Sequence, residues 1–415
     1  MTELGKISFW TAVLMSINII VGGGIFAGPK SMTAIAGTLS FSAWFLAAIL
    51  VFPIVWGVSR AAVVFPGSGG FYNYCKTGIN PDFGFLAHWF YLLGYIMGTA
   101  SAMTFLLREG LANRLGISFA AEHPYITHAL ILVVFSLLNL MPIGIVSRIQ
   151  AGATLLKLAP LIIVTVLTGF YFNSTLEYNW AHIDTLPATI PTVIFGYLGF
   201  EACCSLSHLL KDGPSSVGKV VLTAFFITAI LYMIFHFGLL QIMGPEQLAA
   251  EGAIAFPSSL GWSSGPAMIL GVIIGGAILL SYANSLFGLS LGNITNIIAI
   301  SKGSKTQAAL IHGVAIWLLL CFMSDINNIF AFTVVGVGAA YFLTTVAVFR
   351  HSLKTGETFQ AIIMALGFVS CSVMFYCCWI GLGGGALDRI LNISPILIGV
   401  VVGFVLYRMG SLKIS

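Results

Sequence analysis

Asn18-Ile19-Ile20-Val21-Gly22-Gly23-Gly24-Ile25-Phe26 lies in the middle of the first long apolar run of the chain. Three consecutive glycines, each weakening a helix by about 1 kcal/mol relative to alanine, predict a break there. A second stretch, Phe195-Gly196-Tyr197-Leu198-Gly199-Phe200-Glu201, interrupts the sixth run with further glycines and a carboxylate. Two glycine-broken runs in corresponding places decide the fold reading, because each opens a block of five runs.

The chain around them is built for lipid. Of 415 residues, 59% are hydrophobic and only 7% charged, against about 25% charged in a soluble domain. Apolar runs cover 8–36, 39–59, 83–112, 125–146, 150–172, 187–210, 218–243, 264–295, 306–324, 326–349, 359–382 and 391–408. A spanning helix needs about 20 apolar residues, so twelve spans are expected. No ten-residue alternation is visible, which argues against a β-barrel. The composition excludes a water-soluble globule and a disordered chain. Seven cysteines, mostly inside apolar runs, read as small buried hydrophobes rather than a disulfide framework or metal set. A net charge of +4 is too small and scattered for nucleic-acid binding. No cleavage site follows the polar lead Met1–Lys6, so the first run is expected to stay in the mature protein.

Because five is odd, the blocks 1–172 and 187–349 are expected to lie inverted in the membrane. Residues 359–415 then supply two more helices and a C-terminal tail. The expected fold is therefore an all-α integral membrane protein: a five-plus-five inverted repeat, discontinuous helices 1 and 6, and two extra C-terminal helices. With the N-terminus inside, twelve of the seventeen Lys and Arg fall on the inner side, four on the outer, and Lys157 within a span. That bias places both termini in the cytoplasm and suggests a bacterial inner membrane. Asn173-Ser174-Thr175 is an outward-facing glycosylation sequon, meaningful only for a eukaryotic source. The run Gly381–Gly385 lacks the ending of a phosphate loop and reads as a turn.

Two ionisable residues lie deep in spans: Lys157 and Glu201. A charge at the bilayer centre costs at least about 2.5–3.5 kcal/mol, so such residues face a cavity and act. Lys157 is placed to trade a proton against substrate, or else to pin nearby carbonyls. Glu201 is placed to bind protons or to hold the second break by accepting amide hydrogen bonds. The half-helix that starts near Gly24 presents unpaired N–H groups and a positive dipole, which suit a carboxylate. The ends of the preceding halves present carbonyls, which suit an ammonium. Gly22 and Gly199 let a ligand approach the backbone. A zwitterion, hence an amino acid, is the substrate this geometry implies.

Four motifs in order carry a resemblance: Gly22-Gly23-Gly24-Ile25-Phe26, Pro66-Gly67-Ser68-Gly69-Gly70-Phe71-Tyr72-Asn73-Tyr74, Phe195 through Glu201, and Lys211-Asp212-Gly213-Pro214. Together they resemble the successive signatures of the amino acid–polyamine–organocation superfamily, amino acid permease branch. That resemblance implies a LeuT-like fold and alternating access. It places the substrate carboxylate at amides around Gly23, Gly24 and Ile25. The ammonium falls at carbonyls around Ile20, Phe195 and Leu198, with the Phe195 ring as a gate. Lys157 matches a fifth-span lysine that stands in for sodium in proton-coupled and some exchanger members. Arginine–agmatine and putrescine exchangers generally lack that lysine. Gly23 departs from the usual Ser or Thr, which implies more room and one donor fewer. The segment 60–76 resembles the superfamily's short moving connector.

Secondary candidates are Tyr95 and Trp89 as cavity walls, and Ser281, Asn284 and Ser285 as partners near Lys157. His236 and His312 read as packing residues. The expected function is secondary active transport of amino acids by proton-coupled symport, with protons and the lipid bilayer as partners and no cofactor. The alternative is an amino acid or amine exchanger without net proton coupling. An enzyme lacks a clustered acid–base set, a channel lacks pore-lining rings, and an ATP-driven pump lacks a nucleotide motif in this chain. A cationic side chain has no counter-charge other than Glu201, which leans the substrate toward small or neutral amino acids.

Overall fold

A computed structural model describes residues 6–67, 69–172, 176–301, 303–322, 326–382, 385–410 and 412. The sequon 173–175, Gly383, Gly384, Ser68, and the orienting charges Lys302, Lys413 and Asp325 lie outside them. The described residues are helical almost throughout. The first run folds as two pieces, α1 (Phe9–Ile20) and α2 (Gly24–Ala36). Ser8 caps α1 by accepting from the Thr11 amide, and Gly37 ends α2 at φ +52°. Next come α3 (Ser42–Val64), a short α4 (Phe71–Gly78) and α5 (Pro81–Phe105), the last capped by Asn80. A wide-turned π-helical stretch, Leu106–Arg114, extends α5.

Then follow α6 (Ser118–Glu122), α7 (Pro124–Leu140) and α8 (Ile143–Phe170). Pro142 lacks the N–H a continuing helix needs, so Ile143–Val146 start α8 rather than ending the fourth run as the hydropathy suggested. The sixth run is built from a 3-10 stretch (Trp180–Thr189), α9 (Ile190–Tyr197) and a second 3-10 stretch (Ala202–Leu209). The rest is α10 (Val217–Glu251), kinked where Gly244 takes φ +76°, then α11 (Ser264–Ser301), α12 (Lys305–Phe322), α13 (Ile326–Thr355), α14 (Thr358–Gly381) and α15 (Ala386–Arg408).

Nine helical stretches among the described residues are long and apolar enough to cross a membrane, and the bent pair Trp180–Thr189 and Thr192–Leu209 makes a tenth. The helices α1 and α7 are apolar but shorter. Large apolar side chains on α8, α11, α12 and α15 face outward, including Leu156, Val272, Leu310 and Val401. That surface suits lipid, so the chain is an integral multi-pass membrane protein.

Small residues set the inner packing, as expected where lipid gives helices no hydrophobic drive to associate. Gly94 of α5 and Gly336 of α13 meet backbone to backbone: a Cβ at Gly336 would lie 2.6 Å from the Gly94 Cα. The helix α1 is enclosed by α8, α10 and α11. At the N-terminal end of α1 the chain is fastened shut. The Ile7 amide donates to Leu209 O at 2.8 Å, the Lys211 amide to Ile7 O at 2.9 Å, and Ser207 Oγ to Gly67 O at 3.3 Å.

Candidate functional site: two helix breaks around one cavity

The first break follows from the glycines. After Ile20 the chain leaves helical geometry at Val21 (ψ +73°), and α2 restarts at Gly24 with no side chain capping its first turn. Its leading amides therefore face the break. The second break runs from Leu198, extended at ψ +142°, to Glu201. Gly199 there takes φ +108°, and a Cβ on it would lie 2.5 Å from Ile19 Cγ2. Only glycine allows that backbone and that approach to the end of α1.

A cavity of about 90 Å³ opens between the breaks. Ile20, Gly22, Gly23, Gly24, Phe195, Leu198, Gly199 and Glu201 all line it. Ile25 does not: its side chain is buried away from the cavity, leaving only its backbone near the helix start. Lys157 also stands behind the wall, reaching it through Ser285.

Lys157 is fully buried and its ammonium is surrounded by acceptors. Nζ donates to Asn18 O at 2.5 Å, Asn18 Oδ1 at 2.7 Å, Val21 O at 2.6 Å and Ser285 Oγ at 3.2 Å. Three of these belong to the last turn and exit of α1, the negative end of its dipole. Ser281 Oγ adds a bond to Val21 O at 3.0 Å, and Ser285 Oγ one to Asn18 O at 3.0 Å. The third polar residue of α11, Asn284, turns instead to α8, bonding Gln150 O at 3.1 Å.

Glu201, also fully buried, closes the second break. Oε2 accepts from the Gly199 amide at 3.2 Å and from the Tyr341 hydroxyl, while Oε1 accepts from Tyr95 at 3.0 Å and Tyr91 at 3.4 Å. Tyr91 and Tyr95, spaced i and i+4 on α5, share one face. Tyr95 lines the cavity as expected. Trp89 does not: it points to α15, with Nε1 donating to Gly399 O at 3.0 Å.

Two details revise the sequence reading. Gly23 does not leave extra room. A Cβ there would meet Tyr282 Cε1 at 2.6 Å, so the ring from α11 already fills the space of the missing side chain. Tyr282 in turn stacks on Phe105, centroids 5.7 Å apart. The Ile20 carbonyl is also engaged, accepting from the Tyr232 hydroxyl at 2.7 Å and the Gly22 amide at 2.8 Å. Sequence reasoning assigned no role to Asn18, Tyr91, Tyr232, Tyr282 or Tyr341. Polar residues inside apolar runs were the available signal, but their partners come from distant helices.

The helices α2 and α9, which flank the breaks, are held from outside the cavity. Trp44 of α3 abuts Gly196, where a Cβ would meet its ring at 2.8 Å, and Tyr197 donates to Trp44 O at 2.8 Å. His236 accepts from Trp44 Nε1 at 3.1 Å through Nδ1 and bonds Thr33 and Ser40 hydroxyls at 3.0 and 3.1 Å through Nε2. It is a packing histidine with its hydrogen bonds filled. No group of three or more metal-binding side chains exists among the described residues.

Comparison with known proteins fits this architecture. An arginine/agmatine antiporter of Chlamydia felis is 28% identical over 270 residues, covering 60% of this chain and 54% of the relative. One from Chlamydia pneumoniae is 28% identical over 240 residues, 53% of this chain and 49% of the relative. The chain thus spans about half the length of these chlamydial relatives. An uncharacterized transporter of Mycobacterium tuberculosis is 22% identical over 394 residues, 89% of this chain and 86% of the relative. These relatives are transporters, not enzymes. A sequence profile described as amino acid permease matches residues 7–402. Over nearly its whole length the chain belongs to the amino acid permease family, within the amino acid–polyamine–organocation superfamily.

Proposed function

We propose that this protein carries amino acids across the membrane by alternating access, coupled to protons through Lys157. The observation that carries the proposal is the contact set of Lys157. An ammonium has three donors, and this one faces four acceptors, three of them at the broken end of α1. Loss of its proton removes the charge and a donor, and with them the tie that fixes the break. Proton binding then favours the closed, substrate-competent arrangement, and release toward the cytoplasm loosens it.

In this reading the substrate carboxylate meets the amides of Gly23, Gly24 and Ile25 at the start of α2. The ammonium turns to the carbonyl side of Phe195 and Leu198, because both lone pairs of Ile20 O are taken. The Phe195 ring covers the site. Twelve spans, with α1 and α2 as one broken span, form a LeuT-like pair of inverted repeats at 1–172 and 187–349, and 359–415 holds the last two. Both termini are cytoplasmic in a bacterial inner membrane, following the basic-residue bias. The fastened end beside Ile7, Gly67 and Leu209 is then the closed inner gate, and the connector containing α4 moves when it opens.

A second reading has one finding in its favour: the chlamydial relatives are named antiporters. Exchange without net proton flux would reduce Lys157 to a fixed pin. Proteoliposomes decide between them. Uptake into empty vesicles driven by an inward proton gradient, with the stimulation lost in Lys157→Ala, is the expected result. Uptake seen only in amino-acid-preloaded vesicles, indifferent to pH, would replace symport by exchange.

A further inference from the structure

We propose that the cavity selects a small, uncharged amino acid and excludes arginine, agmatine and other cationic substrates, because the one carboxylate in its wall is closed by four protein donors. The inference rests on the amino-acid reading above and specifies its substrate.

A carboxylate offers about four lone-pair sites. In Glu201 they face the Gly199 amide and the hydroxyls of Tyr91, Tyr95 and Tyr341. A guanidinium seeking this charge must displace tyrosine hydroxyls that are themselves buried, leaving them without partners. The other charge beside the cavity is of the wrong sign. Lys157 bonds Ser285, a lining residue, so a second cation would enter a low-dielectric space already next to an ammonium.

The remaining walls are uncharged. Gly98, Ser101, Ala102, Thr333 and Val337 line the side facing α5 and α13. The Thr333 hydroxyl donates its proton to Ile329 O at 2.9 Å. Bulk in the wall points the same way as charge. Tyr282, seated against Gly23 and stacked on Phe105, occupies room a longer side chain would need. The substrate in the chlamydial relatives' names therefore does not transfer.

The test is binding to the purified full-length protein, by calorimetry and ligand-induced thermal shift, with glycine, L-alanine, L-serine, L-leucine, L-arginine and agmatine. Glycine, alanine or serine should bind, and arginine and agmatine should bind at least about 100-fold more weakly. Gly98→Ala supplies the second arm. Its Cβ would meet Thr333 Cγ2 at 3.5 Å, an ordinary contact, so the variant folds while the cavity shrinks. It should weaken alanine and serine more than glycine. Arginine or agmatine binding as tightly as the small neutral ligands overturns the inference and leaves the amino-acid reading standing. An equal loss for every ligand in Gly98→Ala also overturns it, by moving the side-chain space elsewhere. Binding of no amino acid at all defeats the amino-acid reading itself.

Discussion

The two helix breaks solve one problem with opposite charges. At the first, α1 ends and its last carbonyls lose their helical partners. A cation from another helix, Lys157 of α8, satisfies them. At the second, the non-helical stretch Leu198–Glu201 leaves the Gly199 amide in need of an acceptor. The chain supplies its own carboxylate, which folds back on the Gly199 amide. The sign at the first break follows the helix dipole, a positive group at a C-terminal end; the sign at the second follows the donors that converge there, the Gly199 amide and three tyrosine hydroxyls. The reach differs. The first break is tied by one long, flexible side chain. The second is braced by rigid tyrosines from α5 and α13. A tie that can release belongs at the first break, and a fixed brace at the second.

The largest expected effect tests the tie. Lys157→Ala leaves Asn18 Oδ1 without its donor and takes one of two donors from the Asn18 and Val21 carbonyls, whose other donors are Ser285 and Ser281, at about 1–3 kcal/mol for the unsatisfied group. Transport should fall by at least about 100-fold, since 1.4 kcal/mol is already tenfold. Wild-type transport in this variant, measured in proteoliposomes, would show that the break holds without its cation. Next comes the brace. Glu201→Gln keeps the shape but sets an amide NH2 against one of the two donor pairs. A loss of about 1–3 kcal/mol in unfolding free energy is expected, and transport should fall with it. A variant as stable as the wild type would mean that Glu201 works as a neutral group.

Much of this was legible in the sequence, and what was not has a common cause. The breaks, Lys157 and Glu201 declare themselves because glycine clusters and charges are rare in apolar runs. The lining residues near the breaks follow from chain adjacency. Partners across the bundle do not. Nothing near Gly23 in sequence says that Tyr282, on α11, fills its missing side chain. Nothing near Ile20 says that Tyr232 of α10 takes its carbonyl. Trp89 and Tyr95 lie on one helix with similar composition, yet one faces α15 and the other the cavity, since a helical register alone does not tell which neighbour packs where. The boundary between α7 and α8 was blurred because hydropathy is blind to the missing N–H of Pro142.

The Gly23–Tyr282 contact tests whether the first break is shaped by packing as well as by charge. Gly23→Ser places a Cβ 2.6 Å from the Tyr282 ring, and overpacking of this kind costs about 1–3 kcal/mol. Substrate affinity and stability should both fall. Adding Tyr282→Leu should recover most of the stability, read as a positive coupling in a double-mutant cycle. No coupling would mean that the serine damages the backbone of the break and not the ring contact.

The smallest effect separates the carbonyls of the two breaks. Tyr232→Phe removes one hydrogen bond to Ile20 O and leaves the ring packed between Trp44 and Tyr197. A net loss of about 0.5–1.5 kcal/mol in stability is expected. If the substrate ammonium sits at Phe195 and Leu198, affinity should weaken by no more than that same energy, about tenfold at its upper limit. The freed lone pair on Ile20 O then gains the ligand nothing. A tighter complex in this variant would place the ammonium on the first break, where it would share the end of α1 with Lys157. Two cations on one helix end would repel each other, so such a result would also turn the lysine from a partner of the substrate into its competitor.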